Sequence, residues 1–555
     1  MNKKVCSFPI LFALLTLLIG TCAVVFPASA QAAPTSTGSI TVSGTVASSY
    51  DAYQIFSANV VDGDSDAKIA TDLAWASDAA RDAVLPVLHS AGMPNSQTTA
   101  QEAAEWLNTD SHLTSALSAQ LARSLQSSDS VSVALNAGKT AELPCGYWLI
   151  VADDDAIAQG EAGTAPIMAL VGGSAVTVKP KAATPKVAKH VLEDSTAAWQ
   201  KAADATVADD LYWRLAATVP AGLSAYDTYA VQFVDTMSAG LDPSKVAASM
   251  HVYVAAGTDG GFDAVSADKD GHAGTEPAKG WTDITAQCAT KVAADGTFTV
   301  RTGDLIAALG GADTFTAGAR VVAVYNAPLN SACNHGIAKG NPNEVYLRYR
   351  RSPLADQSGD AGFTRTPSDD ACAYTWDLAL TKRGSDGDKP LAGAVLSIAD
   401  DRGRTLAADG TWDAEGKATV TTGEDGRVTV SGVDSGKLEV RELKAPKGYA
   451  AFEGTRSVTV KAEGLDVDQV AAAKPKLTIT AESPLRADSA DGSTGSLEAS
   501  LINTPTGTPP SITTGGFMPS TGDMAMYAAA AAAVAGAALI VVALLVKRGG
   551  GSHKK

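Results

Sequence analysis

Alternating apolar and polar positions dominate the first part of the chain. Between residues 38 and 60, Ile40, Val42, Val46, Tyr53 and Ile55 fall on the apolar side, which predicts half-buried strands. From Asp66 to about Gln126 the period lengthens, with Leu73, Ala76, Ala80, Val84 and Leu88 at helical spacing. Thr99 and Glu102 form a capping box ahead of the apolar residues 103–107. Strand patterns return at 131–133, 146–151 and 175–178, so residues 31–180 read as a β-sandwich with a helical insertion.

The Pro/Lys/Ala-rich stretch 179–186 reads as a linker, and a second domain over 181–355 follows. Its strands are expected at 211–215, 229–234, 251–254, 320–325 and 344–349, and Asp295-Gly296 is a hairpin signal. Gly, Asp, Ser and Pro between Ser352 and Asp370 predict a second linker, placed at 356–371. The third domain, 372–506, carries short strands at 394–399, 427–430, 437–440, 456–460 and 495–503, separated by Gly/Asp turns as in an all-β sandwich.

Both ends of the chain have a different pattern. Lys3 and Lys4 precede an apolar run from Ile10 to Gly20, and Ala28-Ser29-Ala30 supplies small residues for cleavage, so residues 1–30 read as a secretion signal. Residues 507–522 form a Pro/Gly stalk that ends in Met518-Pro519-Ser520-Thr521-Gly522. Residues 524–546 are almost uncharged and, at roughly 20 residues, can cross a bilayer as a helix. The tail 547–555, with Lys547, Arg548, Lys554 and Lys555, is expected on the cytoplasmic side.

Composition narrows the function. With 555 residues the chain has room for about three domains. A net charge of −17 argues against a nucleic-acid partner. The seven histidines show no zinc spacing, no Ser or Cys lies in a nucleophile motif, and no cofactor is expected. Asp62 to Asp66 begins like a calcium loop, but Ala67 and Leu73 stand where Gly and Glu are needed, and a solvated turn is expected. Cleavage of the signal leaves Cys145, Cys288, Cys333 and Cys372. They allow three pairings, and Cys288 with Cys333 is preferred because both fall in one domain; free buried thiols are the alternative.

The C-terminal order of pentapeptide, apolar span and basic tail resembles a Gram-positive sortase sorting signal, with Met518 in place of the usual Leu. The resemblance implies cleavage between Thr521 and Gly522. The whole exported chain resembles a Gram-positive pilus backbone subunit. The middle domain is similar to the fimbrial isopeptide-forming domain through Pro185 to Lys189, Asp235 to Leu241 and Gly340 to Asn343. That similarity implies a Lys189–Asn343 side-chain amide, with Asp235 as the autocatalytic acid. The third domain resembles a collagen-adhesin B-type sandwich, opened by Leu380-Thr381-Lys382 and closed by 501–505. Residues 438–449 match the pilin E-box. Here a Lys382–Asn503 bond with Glu442 as acid is implied. Lys189 and Lys382 are placed on the first strands of their domains, and Asn343 and Asn503 on the last. The first domain has no lysine before Lys68 after the signal, so no such bond is expected there.

The family's Val-Tyr-Pro-Lys element corresponds to Val178-Lys179-Pro180-Lys181, which makes Lys181 the implied acceptor amine, with Lys179 and Lys186 as alternatives. The implied fold is three tandem Ig-like, collagen-adhesin-type β-sandwiches plus a C-terminal transmembrane helix. The implied role is a non-enzymatic pilus shaft subunit on the cell-wall surface, held in the membrane only until sorting. Its implied partners are a class C sortase, identical subunits, minor pilins and peptidoglycan. A monomeric wall-anchored adhesin or a pilus-base subunit is the alternative.

Overall fold

In a computed structural model of the chain, described for residues 36–507 apart from 45, 65–66, 110, 181–183, 220–224, 312–317 and 356–361, alternation along the strands builds three two-sheet domains in tandem. The secretion signal, Lys181, the sorting motif and the apolar C-terminal span lie outside the described residues. Among the described residues, no helix is long and apolar enough to cross a membrane.

The first domain contains β1 (Thr37–Val42), β2 (Ser49–Asp62), β3 (Lys68–Trp75), β4 (Ser132–Asn136), β5 (Thr140–Pro144), β6 (Gly146–Ala152), β7 (Ile167–Val171) and β8 (Val176–Val178). Its sheets run β5-β1-β8 and β3-β2-β6-β7, with β4 also on β2. The helical insertion is α1 (Asp78–Ser90), α2 (Ala100–Asn108) and α3 (Ser115–Gln126). Thr99 and Glu102 close the expected capping box on α2. The helix expected from Asp66 instead begins at α1, where the Ser77 side chain caps Ala80 N–H. Residues 68–75 are the strand β3, because pairing with β2 from Phe56↔Trp75 to Asp62↔Lys68 satisfies their backbone. Leu73 is therefore a strand residue, and its helical spacing to Ala76 is coincidental.

The second domain begins with β9 (Lys186–Glu193), β10 (Ala198–Gln200), β11 (Ala202–Asp204), β12 (Tyr212–Val219) and β13 (Val231–Met237). It continues through β14 (His251–Ala256), β15 (Thr282–Asp283), β16 (Ala289–Val292), β17 (Thr297–Arg301), β18 (Ala319–Asn326) and β19 (Asn341–Arg350). One sheet runs β10-β9-β12-β18-β14-β15. The facing sheet runs β11-β21-β19-β13-β17-β16, where β21 is Asp369–Tyr374, and β20 (Phe363–Arg365) also pairs with β19. The stretch expected as a linker, 356–371, thus supplies two strands of the second sandwich. The β19 backbone offers partners to both, and β21 also gains β11 on its other side. Cys372 accordingly belongs to the second domain's sheet. The apolar interior between these sheets includes Trp213, Phe233, Phe298 and Tyr325.

The third domain opens at β22 (Trp376–Gly384). It follows with β23 (Val395–Ala399), β24 (Thr405–Leu406), β25 (Trp412–Asp413), β26 (Val420–Thr421), β27 (Arg427–Val433) and β28 (Gly436–Lys444). It ends with β29 (Thr455–Glu463), β30 (Lys476–Ala481), β31 (Leu485–Asp491) and β32 (Ser496–Asn503). One sheet runs β27-β22-β32-β31; the other runs β25-β24-β23-β28-β29-β30, with β26 on β23. The first and last strands of this domain are parallel neighbours, from Asp377↔Ser496 to Gly384↔Asn503.

Candidate functional site

In the second domain, strand alternation points Lys189 inward from β9 and Asp235 and Asn343 inward from the opposite sheet. All three side chains are fully buried. Register places Asp235 opposite Val345 and Met237 opposite Asn343, so the acid and the asparagine share one face of neighbouring strands. The Lys189 ammonium ion-pairs closely with Asp235 Oδ2. Lys189 Nζ also donates to the Tyr325 hydroxyl at 2.9 Å. That hydroxyl donates to Asp235 Oδ2 at 3.2 Å and accepts from Asn343 Nδ2 at 2.9 Å. Tyr325 is thus the hub of the cluster. The sequence placed it on a strand but gave it no role, because an inward aromatic on an alternating strand looks like ordinary core.

Two glycines permit this geometry. A Cβ at Gly240, in the Asp235–Leu241 element, would lie 2.2 Å from Asn341 Oδ1. Gly340 has φ +55 and would press its Cβ to 2.5 Å from Cys372 Sγ. Asn341 is buried too, but its amide bonds Asn334 and Ala373 backbone groups, so it shapes the turn that presents Asn343.

Burial makes both charged forms costly. It pulls the Lys189 amine down to about 8, against the opposing pull of Asp235. It pushes the Asp235 carboxyl up, with Lys189 and Tyr325 only partly offsetting it. Both groups move toward a neutral amine beside a neutral acid. Asp235 Oδ1 and Asn343 Oδ1 are buried acceptors without a partner. One proton on Asp235 Oδ1 would turn a pair of orphaned acceptors into a donor and an acceptor.

In the third domain the same residue types converge from different strands. Lys382 on β22 and Asn503 on β32 belong to one sheet, with Lys382 opposite Leu501 and therefore on the same face as Asn503. Glu442 comes from β28 on the facing sheet. Lys382 Nζ is 3.6 Å from Glu442 Oε1 and donates to the Leu501 carbonyl at 3.2 Å. Asn503 Nδ2 donates to Glu442 Oε1 and Oε2 at 2.8 and 2.9 Å, and Phe452 N–H donates to Oε2 at 3.1 Å. Burial lowers the Lys382 amine to about 8, again against the pull of its acid partner. Asn503 Oδ1 is buried without a partner. Rotating this amide by half a turn would present its carbonyl to the carboxyl.

The cysteine pairing is corrected. Cys145, Cys288, Cys333 and Cys372 are all free thiols. Cys288 precedes Ala289, which lies level with Arg301 and, across it, Gln232. Cys333 packs beside Gly240, beyond the other end of β13. A span of about five strand residues, roughly 16 Å, separates the two levels, well beyond disulfide reach. Cys333 Sγ is 3.6 Å from His335 Nε2, and His335 Nδ1 is 2.8 Å from Asp377 Oδ2. Burial raises the Cys333 thiol to about 11, so this alignment does not supply a thiolate at neutral pH.

The comparisons with known proteins first give the class. Residues 377–474 match the family model described as the SpaA prealbumin-like fold domain, within the third sandwich. Over 143 residues the chain is 30% identical to the trypsin-resistant surface T6 protein of Streptococcus pyogenes serotype M6. That stretch is 24% of this chain and 24% of the relative, so the chain spans about a quarter of the length of the curated relative it matches. Among solved structures, it aligns with the T6 backbone pilin of serotype M6 S. pyogenes at 17% identity and a TM-score of 0.45, covering 85% of this chain and 98% of that one. It aligns with the full-length major pilin SpaD from Corynebacterium diphtheriae at 15% identity and 0.41, covering 85% and 98%. The chain resembles a Gram-positive backbone pilin in its domain match and its curated relative as well as in its motifs.

Proposed function

We propose that this chain is the structural shaft subunit of a covalently polymerised surface pilus, locked internally by Lys189–Asn343 and Lys382–Asn503 amide bonds. The observation that carries this reading is the convergence, in two separate apolar interiors, of a lysine, an acid and an asparagine. Such a polar trio is costly to bury unless every group is paired, and here Asp235 Oδ1, Asn343 Oδ1 and Asn503 Oδ1 are not.

In each reaction the neutral lysine attacks the asparagine side-chain carbonyl carbon; in the second domain protonated Asp235 polarises the carbonyl oxygen, and Glu442 is the acid placed for that role in the third. The Nζ–Cγ bond forms, the Cγ–Nδ2 bond breaks, and the departing nitrogen leaves as ammonia with a proton relayed through the carboxyl. Tyr325 holds Lys189, Asp235 and Asn343 in register for this step in the second domain. Each site reacts once. Polymerisation then joins Thr521 of one subunit to a lysine of the next, Lys181 by the motif match, through a class C sortase. Minor pilins share the fibre, and peptidoglycan receives its base.

Mass spectrometry tests both layers. The intact mass of the signal-cleaved chain is expected to fall by roughly 17 Da for each ammonia lost. Asp235→Ala and Glu442→Ala are each expected to restore one such increment. Tryptic peptides from polymers made with the cognate sortase are expected to contain Thr521 bonded to Lys181. An unshifted intact mass would refute the internal bonds. An undiminished ladder from Lys181→Ala would move the acceptor to Lys179 or Lys186.

A further inference from the structure

Against a net charge of −17, the outer face of the second domain's larger sheet carries a row of arginines. Arg301 on β17 is level with Gln232 on β13, Gln232 with Arg348 on β19, and Arg348 with Arg365 on β20. Four neighbouring strands therefore present Arg, Gln, Arg and Arg side by side, across roughly 14 Å at the usual strand spacing. Like charges directly opposite one another in a sheet are destabilising, so the arrangement needs a reason.

The packing supplies part of one. The Phe363 ring lies 5.2 Å from the Arg301 guanidinium, 5.4 Å from that of Arg348 and 4.6 Å from that of Arg350. Arg365 stacks over Tyr346 at 5.1 Å. These ring contacts hold the guanidinium planes, and at Arg301 and Arg365 they leave N–H donors at the edges. Arg348 instead uses one on Gln232, at 2.9 Å. Among the described residues, no carboxylate lies within ion-pair distance of Arg301 or Arg365. The row also borders a cleft of about 380 Å³, whose far wall is the first domain's Asp155, Ile157 and Gln159. Among the described residues lining it, the acid is Asp155, which faces Arg351 at 3.8 Å.

We propose that this cleft and arginine row bind an acidic saccharide, a short segment of glycan bearing sulfate or carboxylate groups. Guanidinium forks match such oxyanions in a bidentate manner, and strand spacing sets several forks at intervals along a linear chain. Tyr346 and Gln159 add a ring face and an amide for the sugar itself, as expected of a site that reads more than charge. A nucleic acid would have to continue past the row over the surface of a strongly acidic protein, which opposes phosphate contacts. The site is independent of polymerisation, so it can be tested on the single chain.

The experiment is a calorimetric titration of the full chain with a heparin-derived sulfated tetrasaccharide and a uronate-only tetrasaccharide, at low and physiological salt. Saturable binding of either, weakening with salt, is expected. Arg301→Gln and Arg365→Gln should each weaken it about tenfold or more. Asp155→Asn should strengthen it, and Lys461→Gln in the third domain should leave it unchanged. Melting temperatures report whether each variant is folded; if Arg301→Gln is not, exposed Arg365 decides the matter. Absence of saturable binding, or binding indifferent to Arg365→Gln, would overturn the proposal. Equal binding of inorganic sulfate, an uncharged tetrasaccharide or a single-stranded DNA oligonucleotide would do the same.

Discussion

The second and third domains bring the same three residue types together from opposite arrangements. In the second, the acid and asparagine share a sheet and the lysine crosses from the other. In the third, lysine and asparagine are on neighbouring parallel strands and the acid crosses. A bond in the second domain would staple its two sheets together, whereas in the third it would staple the first strand to the last. The chemistry asks only that three side chains meet in a dry interior, so strand topology is left free to decide what the bond does mechanically. Asn503 ends the last strand of its domain, which places the strands from β23 on between Lys382 and Asn503. Asn343 does not: β20 and β21 follow it, outside any loop closed by Lys189 and Asn343.

That difference yields the largest expected effect. Under tension, a bonded third domain should not extend. The second should release the segment from about residue 344 to 375, on the order of 100 Å of chain at full extension. What holds this segment is the non-covalent pairing of β19 with β13 and of β21 with β11, together with Asp369. Asp369 accepts from the Lys189 backbone N–H at 2.7 Å and ion-pairs closely with Lys201. Single-molecule stretching is expected to show one short extension per subunit from these two domains, at lower force in Asp369→Ala. Asp235→Ala should release the whole second domain and lower its stability by about 5 kcal/mol through the lost cross-link alone. Full extension of both domains in the parent chain would contradict the comparison.

The motifs revealed the two clusters because the family elements fix residue types at short spacing around each strand. They did not reveal β20 and β21. The Gly, Asp, Ser and Pro of 352–370 give a linker's composition, and pairing with β19, the strand before them, and with β11, far back in the chain, is what makes strands of them. β3 was obscured for the converse reason: Leu73 continues a helical spacing by chance, while its backbone is paired to β2. The Cys288–Cys333 pairing failed because membership of one domain says nothing about which end of a sheet a residue occupies. Tyr325 was hidden as one inward aromatic among several on alternating strands.

Tyr325 sharpens the comparison at intermediate scale, since no tyrosine hydroxyl bonds Lys382, Glu442 or Asn503 among the described contacts of the third cluster. Tyr325→Phe removes one acceptor from Lys189 and one from Asn343, leaving a buried donor short of a partner at a cost of about 1–3 kcal/mol. The fraction of second domains lacking the ammonia loss should rise in peptide mass spectra, while the third domain reacts as before. An unchanged fraction would reduce Tyr325 to a packing residue.

The smallest expected effect concerns the seam between the two domains. There Trp376 Nε1 and the Ser435 N–H and hydroxyl all donate to Asp204 Oδ2 from the third domain. Glu193, beside Asp204, is pushed up to about 7 by burial and by the Asp204 charge. Burial and its neighbours Asp204, Asp194 and Glu193 also raise Asp434 well above the carboxylate range. Arg402 faces Asp194 at 3.7 Å and Arg404 faces Asp209, so basic groups offset only the rim of this carboxylate cluster. Unfolded, a glutamate loses its proton near pH 4.3; folded, Glu193 keeps it until about 7. Its contribution is therefore fully present below the unfolded value and lost as pH rises through about 7. Melting temperature should fall between pH 5 and 8, and Glu193→Gln, neutral throughout, should flatten that fall by about 1 kcal/mol because the neighbouring carboxyls titrate with it. A slope identical in parent and variant would place the pH sensitivity elsewhere. A slope of opposite sign would mean that the cluster is ionised in the folded chain and that the seam is held by Arg402 and Arg404 instead.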